Sequence, residues 1–168
     1  MKSFTKPLLL LAAPGLLAAL IIISPAGANA QWPVPPSTTP DAQRSALTGL
    51  RSHISWLQNA TRVAVNYGDQ GYAKVWEQFQ SFRGAYSSLK QTLNPRQLTD
   101  GANALAELDA GLDIIQEAFN NYQTDVANGR APYSALSDMC QVLREAMQIW
   151  TQEFNKHALR LRIGSGLG

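Results

Sequence analysis

The chain has 168 residues, with 14 Lys and Arg against 12 Asp and Glu, so its formal net charge is only +2. A charge this close to zero argues against a dedicated nucleic-acid binder, because such proteins carry a basic surplus on one face. The only cysteine is Cys140, which excludes an internal disulfide. Packing must therefore hold the fold together.

The first 30 residues have the pattern of a secretory signal peptide. Lysines precede an apolar run at 8–23, and the small residues Ala28 and Ala30 lie where signal peptidase requires them. We expect cleavage after Ala30 and export to the periplasm or the extracellular space. A bilayer-spanning helix needs about 20 residues, more than this run has, although retention as an uncleaved anchor stays open.

Three further segments follow the signal peptide. Residues 31–39 are rich in proline and should form an extended leader. Residues 40–163 have the length and apolar periodicity of one helical domain. Residues 164–168 are dominated by glycine and should form a flexible tail.

Apolar residues recur at alternating steps of three and four along four stretches of 40–163. Helix breakers separate these stretches at Gly68, at Asn94-Pro95 and at Asn128-Gly129, and the last stretch begins at Pro132. Thr39 can cap the first helix ahead of Pro40. The pattern predicts an all-α fold, an antiparallel up-down four-helix bundle with coiled-coil-like packing. A longer helical hairpin pair, or a three-helix core with one splayed helix, would give almost the same pattern.

Charge is distributed unevenly over these helices. Residues 31–96 carry a net charge of +4, residues 97–140 carry −6, and residues 141–168 carry +2. An acidic segment between basic ones can select neighbours inside a bundle, bind a basic partner, or simply face water.

The acidic side chains Asp109, Asp113 and Glu117 recur at every fourth residue and form one stripe on the third helix. This stripe is a candidate for binding a basic partner helix or a divalent cation, and a solvated face is the alternative. Trp32 and Trp56 are the aromatic residues that the apolar stripes explain least. Tryptophan often anchors interfaces, so these five residues are the candidate partner-binding residues.

Cofactor chemistry has weak support in the sequence. A single cysteine excludes covalent c-type haem, and no Glu-x-x-His motif indicates a di-iron site. His157, near the end of the fourth helix, resembles the ligand position of helical b-type cytochromes, with His53 or a methionine as second ligand. Otherwise both histidines are expected at ordinary surface or flank positions, with Glu153 able to pair with His157 across one helical turn. We therefore expect no cofactor and no metal.

Small residues give three further expectations. Glycine and alanine between Gly101 and Gly111 make one side of the third helix flat, so that a helix of this chain or of a partner can approach closely. Gly84 inside the second helix costs about 1 kcal/mol relative to alanine, which indicates a kink or a close crossing. Cys140 lies on an apolar stripe and should be a core residue, with an intermolecular disulfide as the alternative.

Two resemblances concern particular motifs. Residues 31–34, which read Gln-Trp-Pro-Val, and residues 93–98 resemble secreted helical minor-pilus components of conjugative type IV secretion systems. That resemblance implies an accessory role in pilus assembly or cell contact. Residues 94–97 and 39–43 are loosely similar to the hairpin ends of periplasmic helical chaperones.

These observations favour an exported, non-enzymatic helical bundle that acts through protein–protein contacts, with a partner in the cell envelope or a second copy of itself. No nucleophile–base pair and no phosphate-binding loop can be identified from the residues. A bundle that binds haem or a metal is the alternative from a different functional class.

Overall fold

In a computed structural model, the structure describes residues 39–163 and residue 167, and every regular element in this part of the chain is a helix. The helices are α1 (Pro40–Val63), α2 (Gly71–Gln91), α3 (Pro95–Asp100), α4 (Ala102–Ala127) and α5 (Pro132–Ala158), with a 3-10 segment (Ala64–Gln70) between α1 and α2. The all-helical prediction is confirmed for these residues. None of the described helices is long and apolar enough to cross a membrane.

Several sequence expectations fall outside the described residues. They are the signal peptide at 1–30, the leader as far as residue 38, and residues 164–166 and 168 of the tail. Leu167, which belongs to the expected flexible tail, is buried, and its N–H donates to Oδ1 of Asn155 at 2.6 Å.

The predicted helix boundaries rest on local chemistry. Oγ1 of Thr39 accepts a hydrogen bond from the N–H of Ala42 at 3.3 Å, which caps α1 ahead of Pro40. Gly68 interrupts the 3-10 segment with φ +54° and ψ −128°, a conformation that favours glycine because a Cβ would be strained there. The predicted break at Gly68 is therefore confirmed.

The third predicted helix consists of two helices, α3 and α4, which are separated at Gly101. A capping box starts α3: Oδ1 of Asn94 accepts from the N–H of Gln97, and Oε1 of Gln97 accepts from the N–H of Asn94, both at 2.9 Å. Leu161 packs directly against Gly101, where a Cβ would lie 2.2 Å from its Cδ2. This close approach comes from the chain after α5, so local periodicity could not indicate it.

Gln97 is a buried polar side chain that connects three parts of the chain. Its Oε1 accepts a hydrogen bond from Nε2 of Gln43 on α1 at 2.8 Å. Its Nε2 donates to the carbonyl oxygens of Leu161 at 2.8 Å and Arg162 at 3.3 Å, after the end of α5. Nε2 of Gln43 also donates to the carbonyl oxygen of Thr92 at 2.9 Å, which ties α1 to the end of α2.

Aromatic rings from α2, α4 and α5 pack against one another in the core. Phe79 of α2 stacks on Phe119 of α4 with ring centroids 5.0 Å apart, and Trp150 of α5 meets Phe82 of α2 edge-on at 5.0 Å. Offset stacked and edge-on pairs contribute about 0.5–1.5 kcal/mol each beyond the area they bury. Gly84 is exposed and has open space around it, so the close crossing expected there is wrong.

Cys140 is buried in the core, as the apolar stripe predicted. Burial raises the pKa of its thiol to about 11, and the positive charge of Arg144 opposes this shift in part. A thiol that is both buried and protonated is a poor nucleophile. An intermolecular disulfide at Cys140 would require the core to open.

Candidate functional site

A groove of about 410 Å³ lies between α4 and α5 on the surface of the helical domain. Small, aliphatic and acidic side chains form its lining: Glu107, Leu108, Ala110, Gly111, Ile114, Val142, Glu145, Ala146, Ile149, Trp150 and Glu153. Of the described residues that line the groove, none is Lys or Arg.

The floor of the groove is the edge of a tryptophan ring that lies against a glycine. A Cβ at Gly111 would come within 2.8 Å of Cδ1 of Trp150, so the indole can occupy this position only because residue 111 lacks a side chain. Nε1 of Trp150 donates to the carbonyl oxygen of Leu108 at 2.9 Å, which fixes the ring. The close helix approach predicted from the small residues is therefore internal at Gly101 and at Gly111, whereas Ala102, Ala106 and Ala110 are exposed.

Three branched aliphatic side chains stand exposed along the groove. Ile114 on α4 is 60% exposed, and Ile149 and Val142 on α5 are 61% and 48% exposed. Single exposed apolar residues are normal, but aliphatic residues gathered along one groove are typical of a binding surface. Sequence reasoning missed them because they lie off the main apolar stripes, although the spacing of seven between Val142 and Ile149 marks a second, shorter stripe on α5.

Glutamates occupy the border of the groove at positions 107, 145 and 153. Nζ of Lys156 donates to Oε2 of Glu153 at 2.8 Å. This hydrogen bond lowers the pKa of Glu153, with further contributions from the positive charge of Lys156 and from the neighbouring His157, and partial desolvation opposes the shift. Glu153 is therefore ionised at neutral pH.

His157 lies at one end of the groove and is fully buried. Its Nε2 is 2.6 Å from Oε2 of Glu107 and 3.6 Å from Oε2 of Glu153, and one ligand atom from each of the three side chains lies within 4.8 Å of the others. Its Nδ1 is also buried, with no hydrogen-bond partner among the described residues. The predicted proximity of Glu153 to His157 is confirmed, and the expected surface position of His157 is wrong.

The burial of His157 has a simple origin in the sequence. Met147, Trp150, Phe154, His157 and Leu161 recur at steps of three and four, so the histidine continues the buried stripe of α5. His53, the proposed second haem ligand, is half-buried on α1 and packs edge-on against Trp56, with ring centroids 4.8 Å apart. The structure thus brings His157 to two carboxylates of α4 and α5.

The acidic stripe on α4 divides into one paired and two exposed carboxylates. Asp109 is 2.9 Å from Nζ of Lys90 on α2, so it joins two helices of the same chain. Burial, followed by the negative charge of Asp109, raises the pKa of the Tyr86 hydroxyl. Asp113 and Glu117 are exposed. None of the three stripe residues lines the groove.

Of the two candidate tryptophans, Trp56 lies away from the groove. Trp56 is exposed beside Val63 and Tyr67, where a shallow depression lies between α1 and the start of α2. Trp32 lies outside the described residues. Asp109, Asp113 and Glu117 do not line the depression that Trp56 borders.

Comparison of the chain with protein-family models, with curated protein sequences and with solved structures gives no match.

Proposed function

We propose that the protein acts by binding another protein in the groove between α4 and α5. The occupant is an amphipathic helix that carries Lys or Arg beside its apolar face. The observation that carries this proposal is the combination of exposed Ile114, Val142 and Ile149 with a border of glutamates. Helix-in-groove recognition uses such a surface, with apolar anchors supplying affinity and flanking charges fixing orientation.

Contact with an apolar side chain of a partner lowers the free energy of the exposed aliphatic residues in the groove relative to contact with water. Burying apolar surface contributes about 25 cal/mol per Å², so covering three exposed aliphatic side chains is favourable. Trp150 is held in place by its hydrogen bond to Leu108, so the floor is already formed before a partner arrives. A preformed floor reduces the ordering cost of binding.

The charged border sets the chemistry of the partner. Glu107, Glu145 and Glu153 line the groove and no Lys or Arg does, although Lys156 pairs with Glu153 from outside the lining. This acidic border favours Lys or Arg on the occupant and disfavours Asp or Glu. Because these glutamates are partly exposed, we expect binding to weaken as the salt concentration rises.

We also propose that α1, α2, α4 and α5 form an antiparallel up-down four-helix bundle. The pairs that join α2 to α4 support this arrangement, because residue numbers fall along one helix as they rise along the other. These pairs are Lys90 with Asp109, Arg83 with Gln116, and Tyr72 with Gln123. In such a bundle, the groove lies between two helices that are neighbours in sequence.

Export and a non-catalytic role complete the proposal. The signal-peptide pattern at 1–30 supports export to the periplasm or beyond. An assembly accessory of a secretion apparatus, or a chaperone of the cell envelope, would use a docking groove without needing a reacting group.

Fluorescence polarisation with two designed helical peptides tests the proposal. Both peptides carry the same leucines at i, i+3, i+4 and i+7, and they differ only in lysine or glutamate flanks. We expect the lysine peptide to bind about tenfold more tightly or better, since like charges across an interface cost several kcal/mol. Ile149→Lys should abolish binding, and Leu98→Lys, which alters an exposed residue outside the groove, should not.

Three results would contradict the proposal. One is equal affinity for both peptides, and another is undiminished binding by Ile149→Lys. The third is a dimer in sedimentation analysis that Ile149→Lys converts to monomer, because the occupant would then be a second copy of the chain.

A further inference from the structure

We infer that Glu107, Glu153 and His157 bind a divalent cation of the zinc type. The three side chains come from α4 and α5 and converge at one end of the groove. This inference goes beyond protein docking and does not depend on it, because it concerns the free chain.

The geometry of the three side chains is close to what Zn²⁺ requires. Zinc binds imidazole nitrogen and carboxylate oxygen at about 2.0–2.2 Å in a tetrahedron, so its ligand atoms lie about 3.3–3.6 Å apart. Here Nε2 of His157 is 2.6 Å and 3.6 Å from the two carboxylate oxygens, and no pair of ligand atoms exceeds 4.8 Å. Small rotations of the two partly exposed glutamates would place all three ligands around one ion.

The helical spacing builds most of this site into α5. Glu153 and His157 are separated by four residues, which places their side chains on one face of the helix. Glu107 approaches the same point from α4, and Trp150 and Gly111 hold the two helices in close contact nearby. Two independent elements therefore present the ligands, and the relative position of those elements is fixed by packing.

The hydrogen bonds that the cluster makes without a metal are incomplete. A single N–H at Nε2 of His157 can serve Glu107 at 2.6 Å, whereas Oε2 of Glu153 is 3.6 Å from the ring and accepts from Nζ of Lys156 instead. Nδ1 of His157 makes no hydrogen bond among the described residues. Both glutamates approach the other ring nitrogen, Nε2. A cation at Nε2 would engage both carboxylates at once.

The site has an entry path and one competing cation. The side chains of Glu107 and Glu153 are 57% and 41% exposed, whereas that of His157 is only 1% exposed, so the ion would enter from the glutamate side. Nζ of Lys156 donates to Oε2 of Glu153 at 2.8 Å. The Lys156 side chain is 57% exposed, so it can rotate away from Glu153 toward the solvent. Imidazole with carboxylates suits zinc and related first-row metals rather than calcium, which prefers oxygen ligands alone.

Titration of the metal-free chain with Co²⁺ and then Zn²⁺, without any peptide, tests the inference. We expect one Co²⁺ per chain, visible d–d absorption typical of tetrahedral nitrogen and oxygen ligands, and displacement of that absorption by Zn²⁺. Glu107→Gln and Glu153→Gln should each weaken binding about tenfold or more. Glu117→Gln, which removes an exposed acid of α4 outside the cluster, is the matched control and should bind like wild type.

The buried histidine needs a readout that does not depend on mutating it, because a His157 variant can fail to fold. Long-range nitrogen–proton NMR spectra should show a large Zn²⁺-dependent shift at Nε2 of His157 and no shift at the ring of His53. Absence of Co²⁺ uptake, uptake that Glu107→Gln and Glu153→Gln leave unchanged, or a shift at His53 instead would overturn the inference. Because no peptide is present, these results are distinct from a failure of the docking proposal.

Discussion

Nε2 of Gln43 on α1 donates a hydrogen bond to Oε1 of Gln97 on α3 at 2.8 Å, although 54 residues separate them in sequence. The same amide of Gln97 reaches the chain after α5 through Leu161 and Arg162. One buried side chain thus joins the first helix, the middle of the chain and the segment that follows the last helix.

Replacing Gln97 with alanine should lower the free energy of unfolding by about 1–3 kcal/mol, because the substitution leaves buried partners without hydrogen bonds. Urea denaturation followed by far-ultraviolet circular dichroism measures this loss. Gln80→Ala on the exposed face of α2 is the control and should change stability by less than about 0.5 kcal/mol. An equal effect of the two substitutions would show that the network around Gln97 adds nothing.

Two glycine substitutions should have opposite effects. Gly84 is exposed inside α2 with open space around it, so Gly84→Ala should stabilise the protein by about 0.5–1 kcal/mol. Gly111→Ala should destabilise it by about 1–3 kcal/mol, because the new Cβ would lie 2.8 Å from Cδ1 of Trp150. Thermal unfolding of both variants checks the prediction, and a stabilising Gly111→Ala would mean that the indole can move freely.

Cys140 should contribute a pH dependence to stability in the alkaline range. Because burial raises the pKa of its thiol from 9.0 to about 11, the folded state favours the protonated form. This contribution is fully present below the unfolded pKa and is lost as the pH rises through about 9 to about 11. The difference in unfolding free energy between wild type and Cys140→Ala isolates the effect from other titrating groups, and a constant difference across this range would contradict the prediction.

The ion pair between Lys90 and Asp109 should couple α2 to α4 weakly. Both side chains are partly exposed, so a double-mutant cycle with Lys90→Gln and Asp109→Asn should give about 0.5–1 kcal/mol at low salt and less at high salt. A coupling energy of zero would contradict this prediction. It would mean that Lys90 does not hold Asp109, which could then bind a basic partner helix, as the sequence analysis proposed for the acidic stripe.

Local sequence patterns predicted most of the helices and their ends. Steps of three and four marked the buried faces, and Thr39, Gly68 and Pro132 marked boundaries that the structure confirms. The interruption at Gly101 was not predicted, and Leu161, which packs against this glycine, is distant in sequence. Periodicity describes one helix at a time, and it carries no information about which neighbour approaches a given residue.

The site was harder to predict for the same reason. His157 continues the apolar stripe of Trp150 and Phe154, so its burial could be predicted from the sequence. Its contact with Glu107 could not, because Glu107 lies on a different helix. Ile114 and Ile149 lie on different helices, and neither stands out until both border one groove. The acids at 109, 113 and 117 formed a clear pattern in one helix, but Asp109 is drawn to Lys90 of a neighbouring helix.

The position of Trp150 allows events in the groove to be followed by tryptophan fluorescence. Its indole lies under the groove, touches Phe82 and Phe154 in the core, and is 3% exposed, so its emission should be that of a ring shielded from water. An occupant above Gly111, or an ion held one to two turns further along α5, would alter the surroundings of this chromophore. Once Trp32, Trp56 and Trp76 are replaced with phenylalanine, the fluorescence of Trp150 should therefore report the binding of either proposed ligand without an attached dye.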